Sequence, residues 1–435
     1  MNNREISERD LRHIWHPCTQ MKDHEFLPLT PIKKGEGVYL EDFDGNRFID
    51  AVSSWWVNLF GHANPRISAA VKRQADTLEH VILAGFTHEP IVRLSERLVG
   101  IVPEGLTRCF YADNGSSAIE VALKMAYHYY KNIGKNRPRF ISLSNSYHGE
   151  TIGALSVGDV ALYKETYGPL LLECLQTPVP ADQSESAAVE AAAALETLLR
   201  EQAASVAALI VEPLIQGAGN MHMYHPRYLK EARKLCDKYD ILLIADEIMT
   251  GFGRTGTMFA CEQAGITPDL MTLSKGLTGG YLPLSVAMTT EKIYQAFYCD
   301  YNLYKAFLHS HSYTGNVLAC AAANATLDIF ESDDVLGTNR KLQQVMDEEL
   351  RRFEGLANVK EVRRTGMVAA VELQGYDPQE RIGLKVYEYA LAKGVMLRPL
   401  GPVVYFMPPY IIKEEELIYV MRTAYEAVVA LDETR

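Results

Sequence analysis

Short apolar runs alternate with amphipathic stretches through the middle of the chain. The runs are RCFYA (108–112), RFISLS (139–144), AALIVEP (207–213), ILLIADE (241–247), DLMTLSK (269–275) and LSVAMTT (284–290). A helical repeat of apolar residues lies between the first two runs, at Ala118, Val121, Ala122, Met125, Ala126 and Tyr129. It predicts a long helix with one buried face. Strands that alternate with helices predict a mostly parallel sheet flanked by helices.

The pattern changes after about residue 330. A charged helix is predicted at 338–355, two strands in VKEVRRTGMVAAVEL (359–373), and further helices near 383–393 and at the end of the chain. We therefore expect an α/β protein with three parts: an N-terminal segment (1–65) that joins the small domain, a large domain (66–330), and a C-terminal α+β small domain (331–435). The Ala-rich segment 187–204 predicts a solvent-exposed surface helix.

Charge and composition exclude several kinds of protein. The 435 residues carry a formal net charge of -12, which argues against binding nucleic acid or an anionic membrane. The first twenty residues are polar, and no apolar run is long enough to span a bilayer. Seven dispersed cysteines without a CxxC pair indicate reduced thiols, and no His/Cys cluster has metal-ligand spacing. We expect a cytoplasmic enzyme that acts on small molecules and holds no metal.

Asp246 and Lys275 carry the strongest chemical signal. Each closes a predicted buried strand, in ADE and SKG, so both should lie at the same edge of a parallel sheet. Pyridoxal phosphate (PLP) chemistry needs this pair: the lysine amine forms a Schiff base with the cofactor, and the carboxylate keeps the pyridine nitrogen protonated. Taken alone, each residue is more typical of a salt bridge at the ends of two strands or of two unrelated surface residues.

The surrounding motifs make the pattern more specific. IADEIMTGFGRTG (244–256) and LSKGLTGG (273–280) resemble the signature of class III, fold-type I, PLP-dependent aminotransferases. Other segments narrow the resemblance to the branch that aminates 8-amino-7-oxononanoate in biotin synthesis: HIWHPCTQM, SSWW (53–56), NSYHGETIGALSV (145–157), IVEPLIQGAG (210–219) and RPLGPVVYFMPPY (398–410). The resemblance covers nearly the whole chain.

The resemblance assigns roles around the cofactor. It implies that Asp246 contacts the pyridine nitrogen, that Tyr147 stacks on one ring face, and that Ile248 packs on the other. Ile248 is two residues beyond Asp246 and would face the same way along an extended segment. Tyr147 is also compatible with plain core packing.

The resemblance places the cofactor phosphate at NGSS (114–117). Gly115 and Ser116 match the family's phosphate loop, and the amides and dipole of a helix N-terminus favour an anion. An ordinary helix cap is the alternative.

HSHSYTGN (309–316) resembles the segment with which a neighbouring subunit closes this site. Ser312 takes the place of the usual threonine, and His311 and Ser310 accompany it at the cofactor and the substrate. This implies a homodimer with shared active sites. A simple turn before the next helix is the alternative.

The remaining roles implied by the resemblance concern the substrates, which would also meet Tyr147 and Lys275. Trp55 would line the substrate pocket, and Arg398 would bind the substrate carboxylate, for which a guanidinium is well shaped. Arg254 is a weaker second candidate. Cys18 stands where the family usually has a tyrosine that recognises S-adenosylmethionine, and this leaves the amino donor open between S-adenosylmethionine and lysine.

Two alternative functions remain at this point. One is a class III transaminase that acts on ω-amines with pyruvate or 2-oxoglutarate. The other is a catalytically silent PLP-binding or regulatory protein on the same fold, which the intact set of Asp246, Lys275 and Tyr147 disfavours.

Overall fold

The structure is a computed structural model, and it describes residues 1–433. The strands are β1 (Ile32–Glu36), β2 (Tyr39–Asp42), β3 (Arg47–Asp50), β4 (Leu106–Ala112), β5 (Arg139–Leu143), β6 (Cys174–Thr177), β7 (Val206–Val211), β8 (Ile215–Gln216), β9 (His222–Met223), β10 (Leu242–Asp246), β11 (Leu270–Leu273), β12 (Ser285–Thr290), β13 (Val359–Thr365), β14 (Val368–Leu373), β15 (Val395–Met396) and β16 (Val403–Phe406). The helices are α1 (Asn3–Asp10), α2 (Ser53–Trp56), α3 (Pro65–Ala75), α4 (Glu89–Ile101), α5 (Gly115–Asn132), α6 (Ile152–Ser156), α7 (Ala161–Lys164), α8 (Glu185–Gln202), α9 (Arg227–Tyr239), α10 (Cys261–Ala264), α11 (Glu291–Gln295), α12 (Val317–Ser332), α13 (Val335–Leu350), α14 (Ile382–Ala392) and α15 (Glu414–Glu433).

A seven-stranded sheet forms the centre of the molecule, in the order β4-β12-β11-β10-β7-β5-β6. β12 runs antiparallel to both of its neighbours, and every other neighbouring pair is parallel. Every residue of β7, β10 and β11 is buried, because helices cover both faces of the sheet. The predicted α/β fold with a mostly parallel sheet is confirmed.

Helix α5 carries the predicted apolar face into the core. The side-chain oxygen of Asn114 accepts a hydrogen bond from the amide of Ser117 and caps the helix directly after β4. All six apolar residues of the predicted repeat are buried. The N-terminus of α5 therefore lies at the carboxyl edge of the central sheet.

Two smaller sheets are built from the strands that precede β4 and the strands that follow β12. β1, β2 and β3 pair with β15, and β3 and β15 are parallel; β13, β14 and β16 form a separate antiparallel sheet. A strand from residues 1–65 and a strand from the C-terminal part thus share one sheet, which supports the predicted association of these segments. The division of the chain into three parts stays a prediction, and residues 434 and 435 of the last part lie outside the described residues.

Three local predictions are corrected. Segment 187–204 lies largely in α8, but most of its alanines and leucines are not on a free surface: one face is buried, and α8 packs against α9. The helix predicted at 338–355 begins at Val335 and ends at Leu350. β11 ends at Leu273, so Lys275 does not close the strand; it opens a 3-10 turn with φ +49°.

Within 1–433 no helix is both long and apolar enough to cross a bilayer. The described chain also contains no group of three or more His, Cys, Asp or Glu side chains that could hold a metal ion.

Candidate active site

A cavity of about 200 Å³ opens at the carboxyl ends of the central strands. Its lining comes from the segments that follow β4, β5, β7, β10 and β11, together with the turn after β3. The lining residues are Trp56, Asn114, Gly115, Ser116, Tyr147, His148, Gly149, Glu212, Ile215, Asp246, Ile248, Met249, Thr250 and Lys275. Six residues predicted to contact a cofactor are among them, so the structure brings these six together at one edge of the sheet.

Lys275 presents a buried amine to this cavity. Its Nζ lies 4.5 Å from the centre of the Trp56 ring. Burial lowers the pKa of Lys275 to about 8; the nearby Asp246 and Glu212 carboxylates oppose this change, and the Arg254 guanidinium adds to it. A lysine with this pKa is partly neutral near physiological pH, which suits a nucleophile.

Asp246 is held by three neighbours at the floor of the cavity. The Nδ1–H of His148 donates to Oδ2 at 2.8 Å, and the Ile248 amide and the Thr272 hydroxyl donate to Oδ1 at 3.1 and 3.3 Å. Both Asp246 and His148 are buried. Ile248 reaches the cavity from a turn and not from an extended segment, because β10 ends at Asp246. Ile248 therefore lines the cavity, but the geometric reason given for its orientation, an extended segment, is wrong.

The N-terminus of α5 forms one wall. The amides of Gly115 and Ser116 are at the open end of the helix, where an anion is favoured. A Cβ added to Gly115 would lie 3.1 Å from two side-chain carbons of Ile248, and a Cβ added to Gly149 would collide with the Ser116 hydroxyl. Because neither glycine has a Cβ, the backbone lies close to its neighbours at both positions. This arrangement fits a phosphate seated against backbone amides.

Tyr147 forms the opposite wall. Its amide donates to Oε2 of Glu212 at 2.9 Å, its hydroxyl donates to Glu150 at 3.0 Å, and its ring packs edge-on against Tyr163 at 5.5 Å. Burial raises the pKa of Tyr147 well above its ordinary value, so the phenol is neutral and able to donate. A flat ring held at both ends suits stacking on a planar cofactor.

A second group of residues lies at the entrance of the cavity. Arg398 donates from Nη2 to the backbone carbonyl of Cys18 at 3.2 Å, and its guanidinium lies 4.5 Å from the centre of the Trp55 ring. The Cys18 sulfur is 3.9 Å from the hydroxyl of Tyr163, whose ring contacts Tyr147. Three predicted substrate residues, Cys18, Trp55 and Arg398, are thus brought together, and Tyr163 joins them to the cavity.

The two adjacent tryptophans differ in exposure and in the residues that they contact. A left-handed turn, with positive φ at Ser53, Ser54, Trp55 and Trp56, sends the two indoles in different directions. Trp56 is only 4% exposed, lines the cavity and donates from Nε1 to the Tyr405 hydroxyl at 2.9 Å. Trp55 is 41% exposed and contacts Arg398 at the entrance instead. Trp56 thus forms an aromatic wall of the cavity, and the role of Trp55 in the substrate pocket stays a prediction.

Arg254 does not reach the cavity, so its interpretation as a second substrate contact is corrected. Its side chain is 1% exposed, and it donates to the carbonyls of Pro408 at 2.8 Å and Asn58 at 3.3 Å. The guanidinium also lies 4.9 Å from the centre of the Tyr410 ring. These contacts hold the two terminal nitrogens of the guanidinium inside the core, and Arg254 acts on Lys275 only through its charge.

The structure does not bring Ser310, His311 and Ser312 to the cavity of their own chain. His80 donates from Nε2 to the Ser312 carbonyl at 2.7 Å, and His311 contacts His309. None of the three is among the lining residues. A contribution from this segment to an active site requires a second copy of the chain.

Four further residues contact the predicted site residues, although the sequence alone assigned them no role: Glu212, His148, Trp56 and Tyr163. Glu212 follows the fully apolar strand β7 in the same way that Asp246 ends β10, and this spacing could have identified it. His148 and Trp56 adjoin residues that were assigned roles. Tyr163 carries no sequence signal, because only tertiary packing brings it beside Tyr147 and Cys18.

The sheet, the buried lysine and the paired aspartate define an aminotransferase of fold type I. Sequence comparison places the chain within that class: the model of the family "Aminotransferase class-III" matches residues 20–428. The chain belongs to the class III aminotransferases, a family of PLP-dependent enzymes.

Individual relatives agree over the full length. The chain is 52% identical to the adenosylmethionine-8-amino-7-oxononanoate aminotransferase of Helicobacter pylori, over 99% of this chain and 98% of that protein. It matches the crystal structure of the corresponding enzyme of Methanocaldococcus jannaschii at a TM-score of 0.94 and 39% identity, with 99% of each chain covered. An omega transaminase from Pseudomonas jessenii, solved with PMP, matches at a TM-score of 0.92 and 29% identity over 98% of each chain.

Proposed function

We propose that this aminotransferase converts 8-amino-7-oxononanoate to 7,8-diaminononanoate in biotin synthesis, with S-adenosylmethionine as the amino donor. The observation that carries this proposal is the pairing of a buried lysine amine with a cation and an aromatic face at the entrance. Arg398 and Trp55 fit a long acceptor that bears a terminal carboxylate. The relatives named for this reaction match the chain over its full length.

The cofactor site fits PLP residue by residue. Lys275 would hold it covalently, Asp246 would contact the pyridine nitrogen, Tyr147 and Ile248 would enclose the ring, and Gly115 with Ser116 would bind the phosphate. When bound, PLP supplies an electron sink for the bond changes at the substrate carbon. Nζ of Lys275 would move the proton at the substrate carbon as general acid and base. The two substrates use the cavity in turn, in ping-pong order.

The amino donor rests on the entrance residues. Cys18 offers no ring face for the adenine of S-adenosylmethionine, but Tyr163 lies directly beside it and is half-buried. A tyrosine ring is able to stack on a base, with a gain of about 1–3 kcal/mol in nucleic-acid binders. Tyr163 therefore replaces the aromatic group that position 18 lacks. Lysine is the alternative donor if this contact does not form.

A direct assay tests the function. The purified enzyme with PLP is given 8-amino-7-oxononanoate with either S-adenosylmethionine or lysine, and 7,8-diaminononanoate is measured by mass spectrometry. Formation of the product with S-adenosylmethionine is expected. Formation with lysine alone would overturn the donor and leave the acceptor intact.

A second candidate is an ω-amino acid transaminase that uses pyruvate or 2-oxoglutarate. The match to the Pseudomonas jessenii omega transaminase favours keeping it in the assay. Turnover of ω-amines with either keto acid, without activity on 8-amino-7-oxononanoate, would select this candidate.

We further propose that the enzyme is a cytoplasmic homodimer with shared active sites. Large apolar and aromatic side chains stand exposed next to the segment that contains Ser310, His311 and Ser312: Tyr298, Tyr301, Leu303, Tyr304, Leu308 and Tyr313. Such a concentration is typical of an interaction surface. The partner's copy of this segment would close the phosphate site. All seven cysteines are free, which agrees with a reducing compartment.

Sedimentation equilibrium tests the dimer. The expected mass is twice the 48.7 kDa of one chain. Leu308, 91% exposed, is the position to change: Leu308→Asp should give monomers with weak PLP retention. Val189→Asp, on the exposed face of α8, is the matched control and should leave the mass unchanged. A monomeric wild type with full activity would contradict the shared site.

A further inference from the structure

Glu212 is a buried glutamate of the cavity to which the chemistry above assigns no role. Its carboxylate connects two loops. Oε2 of Glu212 accepts from the Tyr147 amide, and Oε1 accepts from the Gly217 amide, both at 2.9 Å. The Glu212 side chain is buried and lines the cavity. A single carboxylate thus ties the loop that carries Tyr147 to the loop that follows β8.

Each of these loops holds an aromatic wall of the cavity. The first carries Tyr147 itself. The second approaches Trp56 so closely that a Cβ added to Gly217 would lie 3.1 Å from an indole carbon, and Trp56 in turn lies over the Lys275 amine. Hydrogen bonds from Asn145 to the Gly219 carbonyl and from Gln216 to the Ser144 carbonyl join the loops further out.

We infer that Glu212 is a positioning residue whose ionised carboxylate sets the spacing between the Tyr147 and Trp56 walls of the active site. Both of its oxygens must accept, because the two partners are backbone N–H groups with no acceptor capacity. A proton on either oxygen removes the negative charge and makes that oxygen a poorer acceptor, so the hydrogen bond from the buried amide to it is weakened. The clamp is therefore closed when Glu212 is ionised and loosened when it is protonated.

Burial and the charges around Glu212 place this change near neutral pH. It is flanked by His148 after β5, Asp246 at the end of β10 and Lys275 after β11, and the Tyr224 hydroxyl donates to its backbone carbonyl. Burial raises the pKa of Glu212 to about 7, with a smaller increase from Asp246, against the opposing effects of His148 and the two amides. The carboxylate accordingly gains a proton as the pH falls through about 7, and the clamp loosens on the acid side.

Hydrogen exchange measured by mass spectrometry on the PLP-loaded full-length enzyme tests this inference, because it reports the loops themselves and not the reaction. In wild type, after correction for intrinsic exchange rates, the peptides that cover 144–150 and 213–219 should become more protected as the pH rises from 6 to 8. In Glu212→Gln the same peptides should exchange at least about tenfold faster at pH 8 and lose this pH dependence, since a hydrogen bond to a charged group has roughly that value.

Two variants separate this role from general stability. Glu212→Asp keeps the charge but reaches only one amide, and it should loosen one of the two peptides. Glu247→Gln alters another buried carboxylate, which accepts from Thr250, Ala260 and Cys261, and it should leave the pH dependence of 144–150 intact. Wild-type protection that does not change between pH 6 and 8 would overturn the inference, even if Glu212→Gln failed to fold. The readout does not depend on which substrates the enzyme uses, so failure here is distinguishable from failure of the proposed function.

Discussion

Arg398 donates a hydrogen bond to the backbone carbonyl of Cys18 across 380 residues of sequence, at 3.2 Å. Arg398 is the residue proposed to bind the acceptor carboxylate. Cys18 is the position where the family usually has a tyrosine that recognises the donor. Both substrates pass the same entrance in a ping-pong reaction. A change at either residue is therefore expected to affect both half-reactions.

Lys275→Ala is expected to abolish turnover without unfolding the protein. The amine is buried in the cavity, and the described residues that line it include no other lysine. Borohydride reduction of the wild-type holoenzyme followed by peptide mapping should label Lys275. The assignment fails if a different lysine is labelled, or if the variant transaminates at the wild-type rate.

The reaction of apoenzyme with PLP is expected to accelerate as the pH rises through about 8 and then level off. The pKa of Lys275 is lowered to about 8 by burial, so its amine loses the proton over this range and becomes nucleophilic. Stopped-flow absorbance over pH 6.5 to 10 measures the rate. A rate that continues to rise to pH 10.5, the ordinary range of a lysine, would show that burial does not control this amine.

Arg398→Ala is expected to raise KM for 8-amino-7-oxononanoate and to lower kcat/KM for this acceptor. The loss should correspond to about 1.5–3 kcal/mol of transition-state binding free energy, the usual value of a hydrogen bond to a charged group. Arg398→Lys, which retains the charge but not the fork, should lose less. Steady-state kinetics with the acceptor varied provide the numbers. An unchanged kcat/KM in Arg398→Ala would remove this residue from the acceptor site.

Arg254 provides the contrast to Arg398. Its guanidinium is held by the Pro408 and Asn58 carbonyls inside the core. Arg254→Ala should therefore lower the free energy of unfolding by about 1–3 kcal/mol, because two buried carbonyls lose their donor. Urea titration measures this change, and Arg398→Ala on the exposed entrance should show little of it. Equal destabilisation by both variants would be inconsistent with the assigned locations.

Cys18→Tyr is expected to improve kcat/KM for S-adenosylmethionine about tenfold without improving it for lysine, because a ring at this position adds a stacking face for adenine. Tyr163→Leu should have the opposite effect, since Tyr163 is the aromatic side chain beside Cys18. Paired assays of both donors on wild type and on each variant decide the matter. Equal effects of Cys18→Tyr on the two donors would mean that position 18 does not contact the adenine.

The sequence by itself determined the fold class and the centre of the chemistry. Apolar runs such as those of β7 and β10 indicate burial on both faces, which is typical of a mostly parallel sheet covered by helices. Asp246 ends β10 and Lys275 follows β11, so adjacency in the sheet alone brings them together. The helical repeat in α5 likewise fixed which face is buried, because it depends only on local periodicity.

Tertiary structure decided which neighbouring side chain faces the cavity. A left-handed turn at residues 53–56 sends Trp56 inward and Trp55 to Arg398, and no pattern in SSWW encodes that reversal. Arg254 is buried in the core, where it donates to two carbonyls from distant segments. Tyr163 and Glu212 are positioned by contacts that span 16 to 145 residues of sequence. These are the contacts of Tyr163 with Tyr147 and Cys18 and of Glu212 with Tyr147. Local propensity acts over a few residues, whereas these positions depend on packing between segments that meet only after the sheet has formed.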